Sequence, residues 1–243
     1  RNPLVADYQV SLGLVHTCTL DDLGVDCWGD NDYGQTDVPP LSNPTQVSLG
    51  ADHTCALDDT GVICWGRNDY GQTDVPPLSN PTQVSLSVWH TCALDDTGVI
   101  CWGRNDYGQT DVPPLSNPTQ VSLSVWHTCA LDDTGGLCWG FNINGETDVP
   151  PLSNPTQVLL GGAHTCALDD TGVVCWGGND DGQTDVPALS NPTQISPADI
   201  GYHTCALDDT GVICWGNNDY GQIDVPPLSN PTQVSLGFSH TCA

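Results

Sequence analysis

Seven histidines, at 16, 53, 90, 127, 164, 203 and 240, each open a His-Thr-Cys triplet. In six of these the cysteine is followed nine positions later by a second one. Side chains alternate along an extended strand, so His53 and Cys55 project to one side. A hairpin would set Cys64 opposite them. That makes three residues per unit of the types that ligate zinc. A fourth ligand is not evident, and a disulfide would remove two of the three. The expectation is therefore an interior histidine that bonds backbone between neighbouring units, with no metal and no cofactor.

The cysteine pairs are Cys18/Cys27, Cys55/Cys64, Cys92/Cys101, Cys129/Cys138, Cys166/Cys175 and Cys205/Cys214, with Cys242 left unpaired. Such regularity reads as one structural disulfide per unit, formed in an oxidising compartment. Two connectivities are open. Bridges within each hairpin orphan Cys242, whereas bridges to the preceding unit orphan Cys18. The first is preferred, because facing positions of a hairpin lie within bridging distance.

The formal charge is −27, and the only lysine or arginine cations are Arg1, Arg67 and Arg104. Such a surface repels phosphate backbones and anionic bilayers, so neither nucleic acid nor membrane insertion is expected. Of 30 acidic residues only Glu146 is not aspartate. That bias points to turns, where Asp bonds its own backbone. Asp30-Asn31-Asp32-Tyr33-Gly34 begins like a calcium loop but lacks the full spaced ligand set. Catalysis needs unlike groups converging at one place. Near-identical units repeat the same groups instead, so no enzyme is expected.

The histidines recur at intervals of 37, 37, 37, 37, 39 and 37 residues. A fixed period of about 20–50 residues marks stacked or radial repeats. In the unit 47–83, Val47-Ser48-Leu49, His53 to Leu57 and Val62 to Trp65 read as short strands. Asp58-Asp59-Thr60-Gly61 reads as a tight turn with glycine at positive φ. Gln72 to Val75 reads as a short fourth strand, stopped by Pro76-Pro77. A two-residue hairpin loop would set Leu57 against Val62 and Cys55 against Cys64. Both faces of the sheet would then be apolar and need a neighbour on each side. Residues 1–9 read as a lead-in and 10–243 as one repeat domain, with six full units and a partial seventh. The chain has no methionine and no apolar run long enough to span a bilayer, and it reads as a processed or partial product.

Two positions vary freely between otherwise close copies. Before each histidine stand Val15, Asp52, Trp89, Trp126, Ala163, Tyr202 and Ser239. After each Cys-Trp-Gly stand Asp30, Arg67, Arg104, Phe141, Gly178 and Asn217. Trp, Tyr and Arg are enriched in binding hot spots. Trp89, Trp126, Arg67, Arg104, Phe141 and Tyr202 are therefore the candidate binding residues.

The pattern V-S-x-G-x-x-H-T-C-A-L-D-x-x-G-V-x-C-W-G-x-N-x-x-G-Q-T-x-V-P resembles the regulator of chromosome condensation repeat, in particular the cysteine-bearing repeats of secreted bacterial proteins. The resemblance implies an all-β, seven-bladed β-propeller, in accord with the seven His-Thr-Cys strands, with the last blade incomplete. The nuclear member of that family promotes nucleotide exchange on a small GTPase and binds chromatin. A chain this acidic, without basic arms, is expected to do neither. A secreted relative inhibits β-lactamases. The expectation is a secreted, non-enzymatic module that recognises a protein or glycan. The alternatives are a structural subunit that self-assembles through the unfinished blade, and an inhibitor of a secreted enzyme.

Overall fold

Six of the seven His-Thr-Cys segments begin the central strand of a three-stranded antiparallel sheet, and the seventh lies in a two-stranded one. The computed structural model describes residues 9–198 and 200–243, so the lead-in 1–9 lies, apart from Gln9, outside the described residues. The chain divides into two compact units, 1–105 and 106–243.

In the first unit run β1 (Gln9–Leu12), β2 (His16–Asp21), β3 (Gly24–Gly29), β4 (Gln46–Leu49), β5 (His53–Asp58), β6 (Gly61–Gly66), β7 (Gln83–Leu86), β8 (His90–Asp95) and β9 (Gly98–Gly103). They form the sheets β1-β2-β3, β4-β5-β6 and β7-β8-β9. The second unit holds β10 (Gln120–Leu123), β11 (His127–Asp132), β12 (Gly135–Gly140), β13 (Gln157–Leu160), β14 (His164–Asp169), β15 (Gly172–Gly177), β16 (Gln194–Pro197), β17 (His203–Asp208) and β18 (Gly211–Gly216). These make three further sheets in the same order. β19 (Ser235–Leu236) and β20 (Thr241–Cys242) pair as a two-stranded sheet.

The register matches the reading of the hairpin. Leu57 faces Val62, Cys55 faces Cys64, and Asp58 faces Gly61 across a two-residue loop. Gly61 has φ +121, a region that strains any residue with a Cβ. Of the two connectivities left open, the structure has the one within hairpins. Cys18 is bridged to Cys27, Cys55 to Cys64 and Cys92 to Cys101 in the first unit. In the second unit Cys129 is bridged to Cys138, Cys166 to Cys175 and Cys205 to Cys214. Cys242 is a free, exposed thiol. The two ends of each bridge differ in burial. The central-strand cysteine is wholly buried, whereas Cys27, Cys64, Cys101, Cys138, Cys175 and Cys214 on the third strands are only partly covered.

Both faces of β5 are buried. On one face Cys55 and Leu57 pack against Val84 and Leu86 of the next sheet. Cys18 and Leu20 meet Val47 and Leu49 in the same way, and in the second unit Cys129 and Leu131 meet Val158 and Leu160, with Cys138 against them. The core is thus a series of thin layers between sheets, with a disulfide in each. The edge of β7 is covered by a side chain from the preceding sheet. Gln46 donates from Nε2 to Val84 O at 2.9 Å and accepts Val84 N–H at Oε1 at 2.9 Å.

The expected fourth strand is absent. Gln72 to Val75 forms turns, in which Asp74 N–H bonds Gly71 O and Val75 N–H bonds Thr73 O. The Gln72 side chain caps the same loop by accepting Tyr70 N–H at 2.9 Å. The Gln72 carbonyl accepts both Thr91 Oγ1–H and Trp102 Nε1–H of the next sheet, each at 2.9 Å. With its polar groups used locally or by the next sheet, this backbone has nothing to offer a ladder.

The aspartate bias also has a structural cause. Asp95 accepts Thr97 N–H and Thr97 Oγ1–H at Oδ1, and Ser79 N–H at Oδ2, all at 2.7 Å. Asn80, at φ 48, donates to Asp96 Oδ2 at 2.6 Å. The paired aspartates therefore hold both their own turn and the loop arriving from the preceding sheet. Burial alone would raise the pKa of Asp58, Asp95, Asp132, Asp169 and Asp208. Hydrogen bonds from the serine and threonine donors and the turn glycine outweigh it and hold each carboxylate below its ordinary value. Asp95→Ala removes three such bonds. It is expected to cost about 2–3 kcal/mol, measurable as a fall in the urea midpoint at unchanged slope.

The histidines bond threonine side chains of the neighbouring sheet, and the expected bond to its backbone contributes at His16, from Ala51, and at His203, from His240. His16 Nε2 lies 2.8 Å from Thr54 Oγ1, His53 Nε2 3.0 Å from Thr91 Oγ1, and His164 Nε2 2.8 Å from Thr204 Oγ1. Thr54 gives its own hydrogen to the Gln35 carbonyl at 2.9 Å. It must therefore accept from His16, which puts a hydrogen on Nε2, while burial lowers the pKa of the ring. With Nε2 on threonine and each cysteine in a bridge, the three zinc-type residues of a unit are otherwise engaged. Where serine stands three residues before the histidine, its Oγ lies 2.7 Å from Nδ1, as at Ser87–His90 and Ser124–His127.

Candidate binding surface

The two variable positions are cross-strand neighbours. The hairpin is extended by one backbone bond beyond its histidine end, as Arg67 N–H bonds Asp52 O at 2.8 Å and Arg104 N–H bonds Trp89 O at 3.0 Å. Phe141 N–H bonds Trp126 O at 3.0 Å in the same manner. Each three-stranded sheet thus presents a facing pair at one end: Val15/Asp30, Asp52/Arg67, Trp89/Arg104, Trp126/Phe141, Ala163/Gly178 and Tyr202/Asn217. The positive φ of the glycine after each Cys-Trp lets this extension pass close to the partner strand. A Cβ on Gly66 would lie 2.6 Å from Asp52 O.

In the first unit the pairs are joined by a third residue, the tyrosine of the Asn-Asp-Tyr-Gly turn in the preceding repeat. The Arg67 guanidinium sits 4.7 Å from the Tyr33 ring centre and 5.1 Å from that of Trp89. Arg104 lies 5.1 Å from Tyr70 and 5.8 Å from Trp89. Tyr70 meets Trp89 edge to face at 5.4 Å. Two of the chain's three arginines are thus threaded among three aromatic rings, each such contact being worth roughly 0.5–1 kcal/mol at an exposed site. Arg67 also bonds Asp69 at 2.6 Å and Asp52 at 3.1 Å. The bond to Asp69 is the main reason its pKa is raised, with Asp52 adding to it. The charge of Arg67 is spent inside the array, which locks the planar group as a platform.

In the second unit Tyr107 meets Trp126 at 5.4 Å and Phe141 at 5.0 Å, both edge to face. Tyr202 is 44 % exposed at the equivalent end of its own sheet and makes no ring contact among the described residues of that unit. Of the six candidate residues, Arg67, Trp89 and Arg104 meet within the first unit, and Trp126 and Phe141 meet the same ring, Tyr107, within the second.

Tyr33, Tyr70 and Tyr107 were missed as site residues. They stand at a turn position that is tyrosine in four of six repeats, with Asn144 and Asp181 in the other two, and it read as a turn and not as a surface. The departures carried the clue. Where the turn residue is Asp181, its partner in the next repeat is Asn217, which donates to it at 3.0 Å. Aromatic meets arginine or phenylalanine, and carboxylate meets amide.

The Asp30 loop is a turn device. Asp30 Oδ1 accepts Asp32 N–H at 3.0 Å and Gln35 Nε2–H at 2.8 Å.

Family models for the regulator of chromosome condensation (RCC1) repeat match residues 45–72, 82–109, 156–183 and 201–222. The chain carries RCC1 repeats. A comparison with curated proteins finds no match. Among solved structures, the ectodomain of the receptor kinase CR4 from Physcomitrella patens is similar at a TM-score of 0.77 and 22% identity, over 96% of this chain and 69% of that one. The CRINKLY WD40 ectodomain of the Arabidopsis thaliana receptor kinase ACR4 is similar at 0.75 and 21%, over 98% and 93%. Prp20p of Saccharomyces cerevisiae, described together with its binding to Gsp1p and histones, is similar at 0.77 and 16%, over 96% and 80%. At these identities the likeness shows the fold, all-β and built from repeated antiparallel sheets of the RCC1 propeller type. In RCC1 repeat terms, the array joins the turn tyrosine of one repeat to the end of the next repeat's hairpin.

Proposed function

We propose that this chain is a non-enzymatic, extracellular RCC1-type module that recognises a protein partner through the arginine–aromatic array. The observation that carries the reading is the cluster of Tyr33, Arg67, Tyr70, Trp89 and Arg104, which gathers hot-spot residue types on rigid strand ends. A fold shared with two plant receptor ectodomains supports an extracellular setting, as do the disulfides within the hairpins. Six three-stranded sheets and a two-stranded one support seven blades. The non-enzymatic reading rests on repetition, since every sheet offers the same polar groups. The net charge of −27 would steer a basic partner toward the chain, with the aromatic platform supplying the contact that lasts.

The test is a substitution contrast on any partner recovered from the native extracellular milieu. Trp89→Ala combined with Arg104→Ala is expected to weaken binding at least about 100-fold, as loss of two hot spots would. Leu23→Ala, at the opposite hairpin end, is expected to leave affinity unchanged. Equal affinity of the double variant and the parent, measured by calorimetry, would remove the array from the interface.

A further inference from the structure

The third strand of each hairpin has a second side, and the chain leaves it open. In β5–β6, Asp58 faces Gly61 across the two-residue loop, and Arg67 N–H bonds Asp52 O beyond the other end. Ladder bonds fall on alternate facing pairs of an antiparallel hairpin. Gly61, Ile63 and Trp65 therefore turn their backbone groups toward β5, whereas the N–H and C=O of Val62 and Cys64 point away from it. Among the described residues, no backbone group bonds Val62 or Cys64 on that side. Propeller blades usually carry a fourth strand there. Here Gln72 to Val75, the segment that would supply it, is folded into turns. Natural edge strands are commonly guarded by lysine, proline or a charge within the strand. Gly61-Val62-Ile63-Cys64-Trp65-Gly66 holds none of these.

A second, independent feature adjoins the same edge. A groove of about 540 Å³ opens beside the start of β6, lined by Val62, Val75, Pro76, Leu78 and Pro81 and by the paired turn aspartates Asp58 and Asp59. The second unit repeats both features. β15 is likewise uncharged, its Val173 and Cys175 have no backbone partner on the far side among the described residues, and a groove of about 560 Å³ lies against Val173, Val186 and Leu189 with Asp169 and Asp170. Charge selects what can lie there. At −27, a second copy of this chain is repelled and a basic segment is drawn in.

We infer that the free edges of β6 and β15 each take an extended, basic segment of a partner polypeptide as a fourth strand. Its backbone bonds the outward N–H and C=O groups of Val62 and Cys64, or of Val173 and Cys175. One apolar side chain of the segment seats in the groove, and a lysine or arginine next to it meets the turn aspartates. In strand addition of this kind the main-chain bonds supply affinity and the pocket supplies specificity. The surface is separate from the arginine–aromatic array, which begins at the opposite end of the hairpin with Asp52 and Arg67.

The probe is the acetylated and amidated peptide Lys-Val-Thr-Ile-Val-Lys, added to the intact chain at low salt. Amide hydrogen exchange is read residue by residue. The N–H groups of Val62, Cys64, Val173 and Cys175, unbonded in the free chain, are expected to slow by at least about ten-fold at saturation. The same peptide with its four inner amides N-methylated keeps every side chain and charge. It is expected to bind at least about ten-fold more weakly, because it has lost its ladder donors. In Val62→Pro, which removes an N–H that the fold does not use, protection is expected to vanish at Cys64 and to persist at Cys175. Unchanged exchange at these amides, equal binding by the methylated peptide, or protection of Cys64 that survives in Val62→Pro would overturn the docking site. Equal protection by Glu-Val-Thr-Ile-Val-Glu would overturn the basic occupant. The same protection on raising the chain concentration without peptide would assign the edge to a second copy and overturn it as well.

Discussion

Reduction of the six disulfides is expected to unfold this chain at neutral pH without added denaturant. Each bridge closes a loop of about ten residues, which in the chain-entropy model is worth roughly 2–3 kcal/mol. Typical net stabilities are only about 5–15 kcal/mol, so the six together exceed what a domain has to lose. The bridges are also packing. Cys18, Cys55, Cys92, Cys129, Cys166 and Cys205 are wholly buried, and they fill layers that contain few other large side chains. Small cores of this kind cannot substitute for their staples. Loss of far-ultraviolet signal and of tryptophan emission from the apolar seats should accompany reduction and should be cooperative. The double substitution Cys92→Ala with Cys101→Ala should cost about 2–3 kcal/mol by itself. Retention of native amide protection after complete reduction would mean that the inter-sheet hydrogen bonds and not the bridges dominate.

Lowering the pH from 6.5 to about 4.5 is expected to destabilise the fold before any carboxylate titrates appreciably. Burial is the main reason that His53 and His127 are pushed down to about 3, with the neighbouring ring adding to it. Burial likewise brings His164 and His203 down to about 4. Unfolded, each would titrate near 6.5. Between those values the unfolded chain holds protons that the folded chain refuses. Stability is therefore complete above pH 6.5 and falls as the pH falls through the window. The depressed aspartates act in a separate range, since their contribution is lost only below their ordinary value of 3.8. The expected slope corresponds to about four protons taken up on unfolding, one for each of these rings. His127→Gln, whose amide can still reach Thr165, should reduce the slope by about one proton. A denaturation midpoint that is flat from pH 6.5 to 4.5 would show that these rings are not held neutral by the fold.

Local order was legible in the chain because the hairpin is a local object. The two-residue turn, the facing cysteines and the apolar alternation all lie within 14 residues of one another, as in 53–66. That is enough to set register, because a slip of one position would turn Cys64 away from Cys55. The same logic overreached at Gln72 to Val75. Its residues suit a strand, but the decisive fact was that the Gln72 carbonyl serves two donors in the next repeat. The histidine partner was misjudged for a related reason. His53 and Thr91 lie 38 positions apart, and no spacing within one unit reveals that they meet.

The sequence by itself therefore determined the repeat, the central hairpin, the facing of its cysteines and the two positions free to vary, while the structure settled which cysteines are bridged. These depend on chain geometry over a few residues and on the alternation of side chains. Only the tertiary structure decided how repeats meet. It assigned His16, His53, His127, His164 and His203 to a threonine of the next repeat, gave the carbonyls of Gln35, Gln72, Gln109, Glu146 and Gln183 to two donors each, and set Tyr33, Tyr70 and Tyr107 against the residue that follows the next Cys-Trp-Gly. Contacts between near-identical units leave no periodic signal of their own, because every repeat carries both halves of the contact. They become visible only where packing brings the halves together.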